Sequence, residues 1–407
     1  MRARTTAIGI LLFAFITSAY SQTTSTTPPD VVSSSAGNIR IERLATLELP
    51  WGLALLPDGR LLVTEKPGRL RIWANGKMSE PVQGVPKVVY RGTPSEQGGL
   101  LDVEIDPDFA RNGFVYLSYV EAAEQQPADA RETGDPRFAG FLDMSDTIVR
   151  GGAVARGKLD GNQLRDVQVI WRQQPKTVGR GHFGNRIVFA KDGKLFITSG
   201  ERMRFDPAQS LASNLGKVVR INSDGSIPTD NPFVGKTDAL GDIWSYGHRN
   251  MLSAAVDPSS GQLWVVEMGP LGGDELNLIE RGKNYGWPTV SNGDNYSGAP
   301  IPDHPTQKEF QAPVRSWSPV ISPSGAFFYT GTLFPGWRGS LLAGGLSSQA
   351  LVRLTLNGAG TIDMEERINM KRRIRDLIQA PDGSILVIVD DKSGDLLRLS
   401  PSGARAN

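Results

Sequence analysis

The chain has 407 residues, enough for a large core, with 44 basic against 43 acidic side chains and a formal net charge of +1. So even a balance gives no electrostatic footprint for nucleic acid or an anionic membrane, and points to a neutral or small ligand. The absence of cysteine excludes a lipoprotein anchor, disulfides and thiolate metal ligands.

In chain order, Arg2 and Arg4 precede an apolar run from Ala7 to Ile16 and the small-residue stretch Thr17-Ser18-Ala19-Tyr20-Ser21. This is the order of a secretory signal peptide, too short to span a bilayer, with cleavage expected before Gln22 and export to a periplasmic or extracellular space. Residues 22–38 are rich in Ser, Thr and Pro and are expected to form a flexible leader before a single domain over 39–402.

Beyond the leader one theme recurs: a strand-like apolar segment, a turn bearing Asp, Pro or Gly, and a second β-rich segment. It occurs as GLALLPDGRLLVTE from Gly52, LLDVEIDPDFARNGFVYLSYV from Leu100 and RIVFAKDGKLFITSGE from Arg186. It returns as SAAVDPSSGQLWVVEMG from Ser253, in degenerate form from Ala326, and as LIQAPDGSILVIVDD from Leu377. These are hairpin signatures. A sandwich or two barrels would use the same hairpins. Six copies with few helical stretches fit better an all-β six-bladed propeller of four-stranded antiparallel sheets with long inserted loops.

Polar clusters beside glycine recur where these hairpins begin or end, so in a closed ring they face one axis. They are Glu96-Gln97-Gly98-Gly99, the GRGHFGNR run from Gly179 to Arg186, Gly247-His248-Arg249-Asn250, Met268-Gly269-Pro270 and Arg373-Ile374-Arg375-Asp376. Several arginines at one pole suit a ligand with more than one carboxylate, because guanidinium binds carboxylate bidentately. A histidine beside them is a natural general base. In GGDELNLIERGKNYGWP, Asp274 and Glu275 either ligate a hard cation such as Ca²⁺ or cap backbone N–H groups. Tyr285 and Trp287 are expected to pack between blades. No HExxH, GxSxG, P-loop or helix-opening GxGxxG occurs.

The ordered set EQGGLLDVEIDPDF, GHFGNRIVF, DNPF, IWSYGHRN, EMGPLGGDELNLIERGKNYGWP and RRIRDL resembles the soluble PQQ-dependent aldose sugar dehydrogenases, relatives of soluble quinoprotein glucose dehydrogenase, from about Leu47 to Leu399. The resemblance implies a six-bladed propeller that oxidises an aldose at C1 to the lactone with PQQ and Ca²⁺ and passes electrons to a soluble acceptor, as a monomer or homodimer. By the same resemblance His182 is the base, and Arg249 stabilises charge on oxygen. Gln97, Arg249, Asn250, Arg373 and Arg375 contact cofactor, and the Gly269 and Pro270 carbonyls hold the active-site Ca²⁺. Glu275 and the Tyr285 carbonyl match a second, structural calcium. Three places differ from the family pattern. Arg249-Asn250-Met251-Leu252-Ser253 replaces Arg-Asn-Pro-Gln-Gly, Gly181 replaces a polar residue before the histidine, and Ser347 stands where a lysine pairs with a PQQ carboxylate. A calcium-dependent lactonase and a catalytically silent, ligand- or partner-binding propeller are the alternative readings.

Overall fold

A computed structural model describes residues 30–403 except 94–95, 132–134, 136, 138–145 and 359. Residues 1–21, the expected signal peptide, lie outside the described residues, as do 22–29.

Six antiparallel sheets stand around one axis, and each inner strand is the first half of a hairpin seen in the sequence. The inner strands are Pro50–Leu55, Leu100–Ile105, Gly184–Phe189, Asn250–Val256, Pro323–Phe328 and Ile374–Gln379, for blades one to six in turn. Each packs beside the next, and the sixth beside the first, so the ring is closed. The second strands Leu61–Glu65, Leu195–Ser199 and Leu341–Gly345 are buried along their whole length, and those of the other blades are buried except at their ends. Lying between neighbouring blades, such strands are covered on both faces, which is why they read as unbroken apolar runs rather than alternating ones. The outer strand Gly37–Leu47 alternates instead.

Closure uses the N-terminal segment. Gly37–Leu47 pairs antiparallel with the C-terminal strand Gly394–Pro401, completing the sixth blade. Val31–Ser34 then adds to its edge through a register that sets Val31 opposite Arg40. The sequence reading placed 31–38 in a flexible leader; backbone pairing and the burial of Val32 make it part of the fold. Low apolar content hid this, because an edge strand needs few buried side chains once its N–H and C=O groups are paired.

Each interface between neighbouring blades has its own apolar cluster. Tyr116, Val154, Ile187 and Ile197 lie between blades two and three. Val218, Met251, Val265 and Tyr285 lie between three and four, and Trp264, Trp317 and Leu341 between four and five. The core is thus six radial seams. Tyr285 packs in a seam, as expected; Trp287 packs instead with Phe205, Ala208 and Ile301 in the loops above. Among the described residues, no helix is long and apolar enough to cross a membrane.

Candidate active site

Every inner strand loses regular pairing near its first residue: between Pro50 and Leu53, Leu100 and Val103, Gly184 and Ile187, Met251 and Ser253, Pro323 and Ala326, and Ile374 and Asp376. Bulges re-aim side chains. Here six of them occur at one end of the ring, where the loops before the inner strands meet the loops after the second strands.

Just inside that end, the Arg186 guanidinium ties five blades together. It binds Asp102 Oδ1 at 3.0 Å and Asp376 Oδ2 at 3.1 Å. It also donates to the carbonyls of Leu252 at 2.8 Å and Arg375 at 3.1 Å, and lies 4.1 Å from the Trp51 ring centroid. Asp102 and Asp376 in turn accept from the N–H groups of Ile187 and Leu53. The sequence motif placed Arg186 and Asp376 beside the site; the structure makes them its floor.

The GRGHFGNR loop is held from below. Gly179 O accepts from Arg150 Nε at 3.1 Å and from Arg202 Nη2, and Gly181 O accepts from Arg202 Nε at 2.9 Å. His182 adopts φ 49°, a conformation disfavoured for a side-chain-bearing residue. Its N–H is fixed by Gln97 Oε1 at 2.8 Å. Gly184, at φ 64°, allows the close approach of blade three's second strand: a Cβ there would stand 2.9 Å from Gly200 N.

His182 is buried, and its Nδ1 forms a short hydrogen bond with Glu201 Oε1. The other Glu201 oxygen accepts from Arg204 N at 2.5 Å and Phe205 N at 2.7 Å. Burial first, then the Arg249 charge, push the His182 pKa below its ordinary value, although Glu201 pulls it up. Burial pushes the Glu201 carboxyl up, yet it is held below its usual range chiefly by His182, then by Arg249 and the Phe205 N–H. The two directions fit a neutral imidazole donating Nδ1–H to a carboxylate, which puts the basic lone pair on Nε2. The sequence motifs passed over Glu201, although its place just past a second strand matches that of Gly269.

Arg249 is buried beside this pair. Its backbone joins blades three and four, its N–H reaching Glu267 Oε2 at 2.8 Å and its carbonyl accepting from Glu201 N at 2.9 Å. Nη1 donates to Gly269 O at 2.7 Å and Met268 O at 3.0 Å, while Nε is buried without a partner. Trp287 and Tyr296 flank the guanidinium at 5.2 and 5.7 Å. Tyr296 is a further residue that no motif indicated. Asn250 is buried, accepting from Gly184 N at 3.3 Å and placing Nδ2 3.8 Å from Met268 Sδ, so it joins blade four to the histidine loop.

Across the ring, Arg373 and Arg375 grip one carboxylate. Arg373 donates to Asp390 Oδ2 at 2.7 and 3.0 Å, and Arg375 to Oδ1 at 2.6 and 2.9 Å. Burial pushes Asp390 up, but Arg375 and Arg373 outweigh it and hold the carboxyl far below its ordinary range. Two guanidiniums on one carboxylate leave net positive charge, which suits an anionic guest, as does the orphaned Arg249 Nε.

Asp274 caps backbone, accepting from Gly269 N at 2.9 Å and Ser322 N at 2.7 Å. Glu275 faces His304 Nε2 at 3.3 Å and Asn277 Nδ2 at 3.4 Å, and pairs in register with Glu267. Tyr285 joins this cluster through its ring, stacked 4.5 Å from His248, which bonds Glu267 and Ser245. Among the described residues no group of three or more His, Asp and Glu converges as metal ligands. A cation at Gly269 and Pro270 would therefore take backbone carbonyls there, with its coordination completed by a guest. Leu252, at the position of the missing glutamine, packs against the cluster of Trp51, Leu101, Val120 and Phe183. Ser253 is buried and bonds the Ser324 carbonyl of the next blade, whereas Ser347 is exposed.

The family model described as Glucose / Sorbosone dehydrogenase matches residues 47–398. Aldose sugar dehydrogenase YliI of Escherichia coli is 40% identical over 363 residues, covering 87% of this chain and 91% of that protein. The apo-form structure of the soluble aldose sugar dehydrogenase from Escherichia coli superposes with a TM-score of 0.79 at 37% identity, over 89% of this chain and all of the other. The PQQ-bound aldose sugar dehydrogenase of Streptomyces coelicolor superposes at 0.68 and 26% identity, over 92% of this chain and 99% of the other. The chain belongs to the glucose/sorbosone dehydrogenase family and is an oxidoreductase of the sugar-dehydrogenase type.

Proposed function

We propose that this dehydrogenase oxidises aldoses at C1 to the lactone with PQQ and calcium, His182 acting as general base. The observation that carries the reading is the His182–Glu201 pair beside Arg249, in a ring that also presents Arg373 and Arg375. The PQQ-bound Streptomyces coelicolor relative supports the choice of cofactor. When bound, PQQ supplies a two-electron acceptor for the hydride leaving C1.

The residues divide the remaining work. His182 Nε2 takes the C1 hydroxyl proton, and Glu201 offsets the charge of the resulting imidazolium while fixing the ring. Arg249 stabilises negative charge developing on oxygen. Arg373 and Arg375 hold the carboxylates of the cofactor, and Gln97 fixes the backbone of the base. Asn250 lines the cofactor side of the site. Calcium would bind the Gly269 and Pro270 carbonyls; the Gly269 oxygen, which accepts from Arg249, keeps a second lone pair for it. A second calcium would sit at Glu275 and the Tyr285 carbonyl. Export to the periplasm and a soluble electron acceptor complete the reading.

The test is reconstitution of purified protein with PQQ and Ca²⁺, followed by dye-linked oxidation of a panel of aldoses. A quinone absorption band that bleaches on adding sugar is the expected result. Retained PQQ with no turnover on any sugar overturns the catalytic reading in favour of a binding propeller, and lactone hydrolysis without PQQ favours a lactonase.

A further inference from the structure

The charge missing at Ser347 has a counterpart elsewhere on the same rim. Lys66 lies one residue past the second strand of blade one. The equivalent loops carry Glu201 in blade three, Gly269 in blade four, Ser347 in blade five and Asp390 in blade six. Its backbone is fixed on both sides, N–H to Leu49 O at 3.0 Å and C=O from Leu100 N at 3.0 Å. Gly99 packs against it so closely that a Cβ would come within 2.2 Å of Lys66 O. The ammonium therefore starts from a rigid base. It stands between the two halves of the site: Nζ donates to Glu96 O at 2.6 Å, next to Gln97, while its charge is felt by Arg375 and Asp390.

We propose that Lys66 binds a cofactor carboxylate, taking over from blade one the ion pair that the family's lysine makes from the position of Ser347. The proposal rests on the PQQ reading above. An ammonium has three donors, and Glu96 O accepts from one. The neighbouring carboxylates are already engaged: Asp390 by Arg373 and Arg375, and Glu96 by Arg150 Nη1 at 3.0 and 3.2 Å. The Tyr90 ring lies 5.5 Å from Nζ and offers no anion. Asp390 is shared by Arg373 and Arg375, and the Lys66 ammonium, bonded to the Glu96 carbonyl, has no carboxylate within hydrogen-bond reach among the described residues, so its positive charge suits an anionic partner. Burial first, then Arg375, push the Lys66 pKa down to about 8, against Asp390 and Glu96. A guest carboxylate would pull it back up.

PQQ binding to the Ca²⁺-loaded protein, measured by calorimetry and by quinone absorbance, tests this without relying on turnover. K66Q should weaken PQQ binding at least about tenfold, as expected for loss of a charge-assisted bond, and K66R should restore most of it. The melting temperature of cofactor-free K66Q should match that of the original protein. At pH 8.5, calorimetry in two buffers of different ionisation enthalpy should show proton uptake on binding that K66R abolishes. Should K66Q not fold, that proton uptake decides the matter by itself. Failure of the original protein to bind PQQ overturns both readings. Binding by the original protein with unchanged K66Q affinity and no proton uptake overturns the Lys66 assignment alone.

Discussion

Replacing Glu201 by Gln tests the assignment of the base most directly. The carboxylate has three donors on it: His182 Nδ1 on one oxygen, and Arg204 N and Phe205 N on the other. Glutamine offers one oxygen. If that oxygen keeps the two backbone N–H groups, its NH₂ faces Nδ1 and forces the proton to Nε2, so the basic lone pair points away from the substrate. The rate cost is then about that of losing general-base catalysis, roughly 10²–10⁴-fold in kcat. If the oxygen turns to His182 instead, two buried N–H groups lose their acceptor, at about 1–3 kcal/mol each, and the melting temperature falls. PQQ affinity should change little, since Glu201 acts through His182. The pH profile adds a signed expectation. In the proposed role His182 must be neutral, and burial and Arg249 lower its pKa while Glu201 raises it. The acid limb of kcat/KM should therefore lie below the ordinary 6.5 in the original enzyme and move lower still in E201Q. A loaded E201Q enzyme with kcat within about threefold of the original, and an unmoved limb, would refute the role of the pair.

Two further substitutions probe the frame. Arg186→Met leaves Asp102 and Asp376 buried without their cation and should cost about 3–5 kcal/mol in denaturant unfolding, with much of the loss recovered by adding D102N and D376N. Glu275→Gln separates the two proposed calcium roles: thermal stabilisation by added Ca²⁺ should shrink, while PQQ binding and kcat at saturating Ca²⁺ stay near the original values. Loss of PQQ binding in E275Q with its calcium stabilisation intact would reverse the assignment.

The fold was legible in the sequence because hairpins are local: each of the six apolar–turn–apolar runs became the two innermost strands of a blade. The closing strand was not, because its partner Gly394–Pro401 lies at the other end of the chain and edge pairing leaves little apolar pattern. The site divides along the same line. His182, Arg249 and Arg373 stand in loops before inner strands and Arg375 at the start of one, where charged residues cluster in sequence and so attract notice. Glu201, Lys66 and Asp390 stand in the loops after second strands, at the end of apolar runs, where a single charge reads as ordinary turn chemistry. Strand pairing within a blade brings the two sets of loops together, Gly184 opposite Ser199 and Ile374 opposite Val389, so that a histidine from one set meets its carboxylate from the other. In a propeller of this kind each functional pair is therefore split between a conspicuous partner and an inconspicuous one. The residue that completes a defective contact should be sought in the second set, one or two positions past a buried strand, which is where Lys66 stands in blade one, two blades from Ser347.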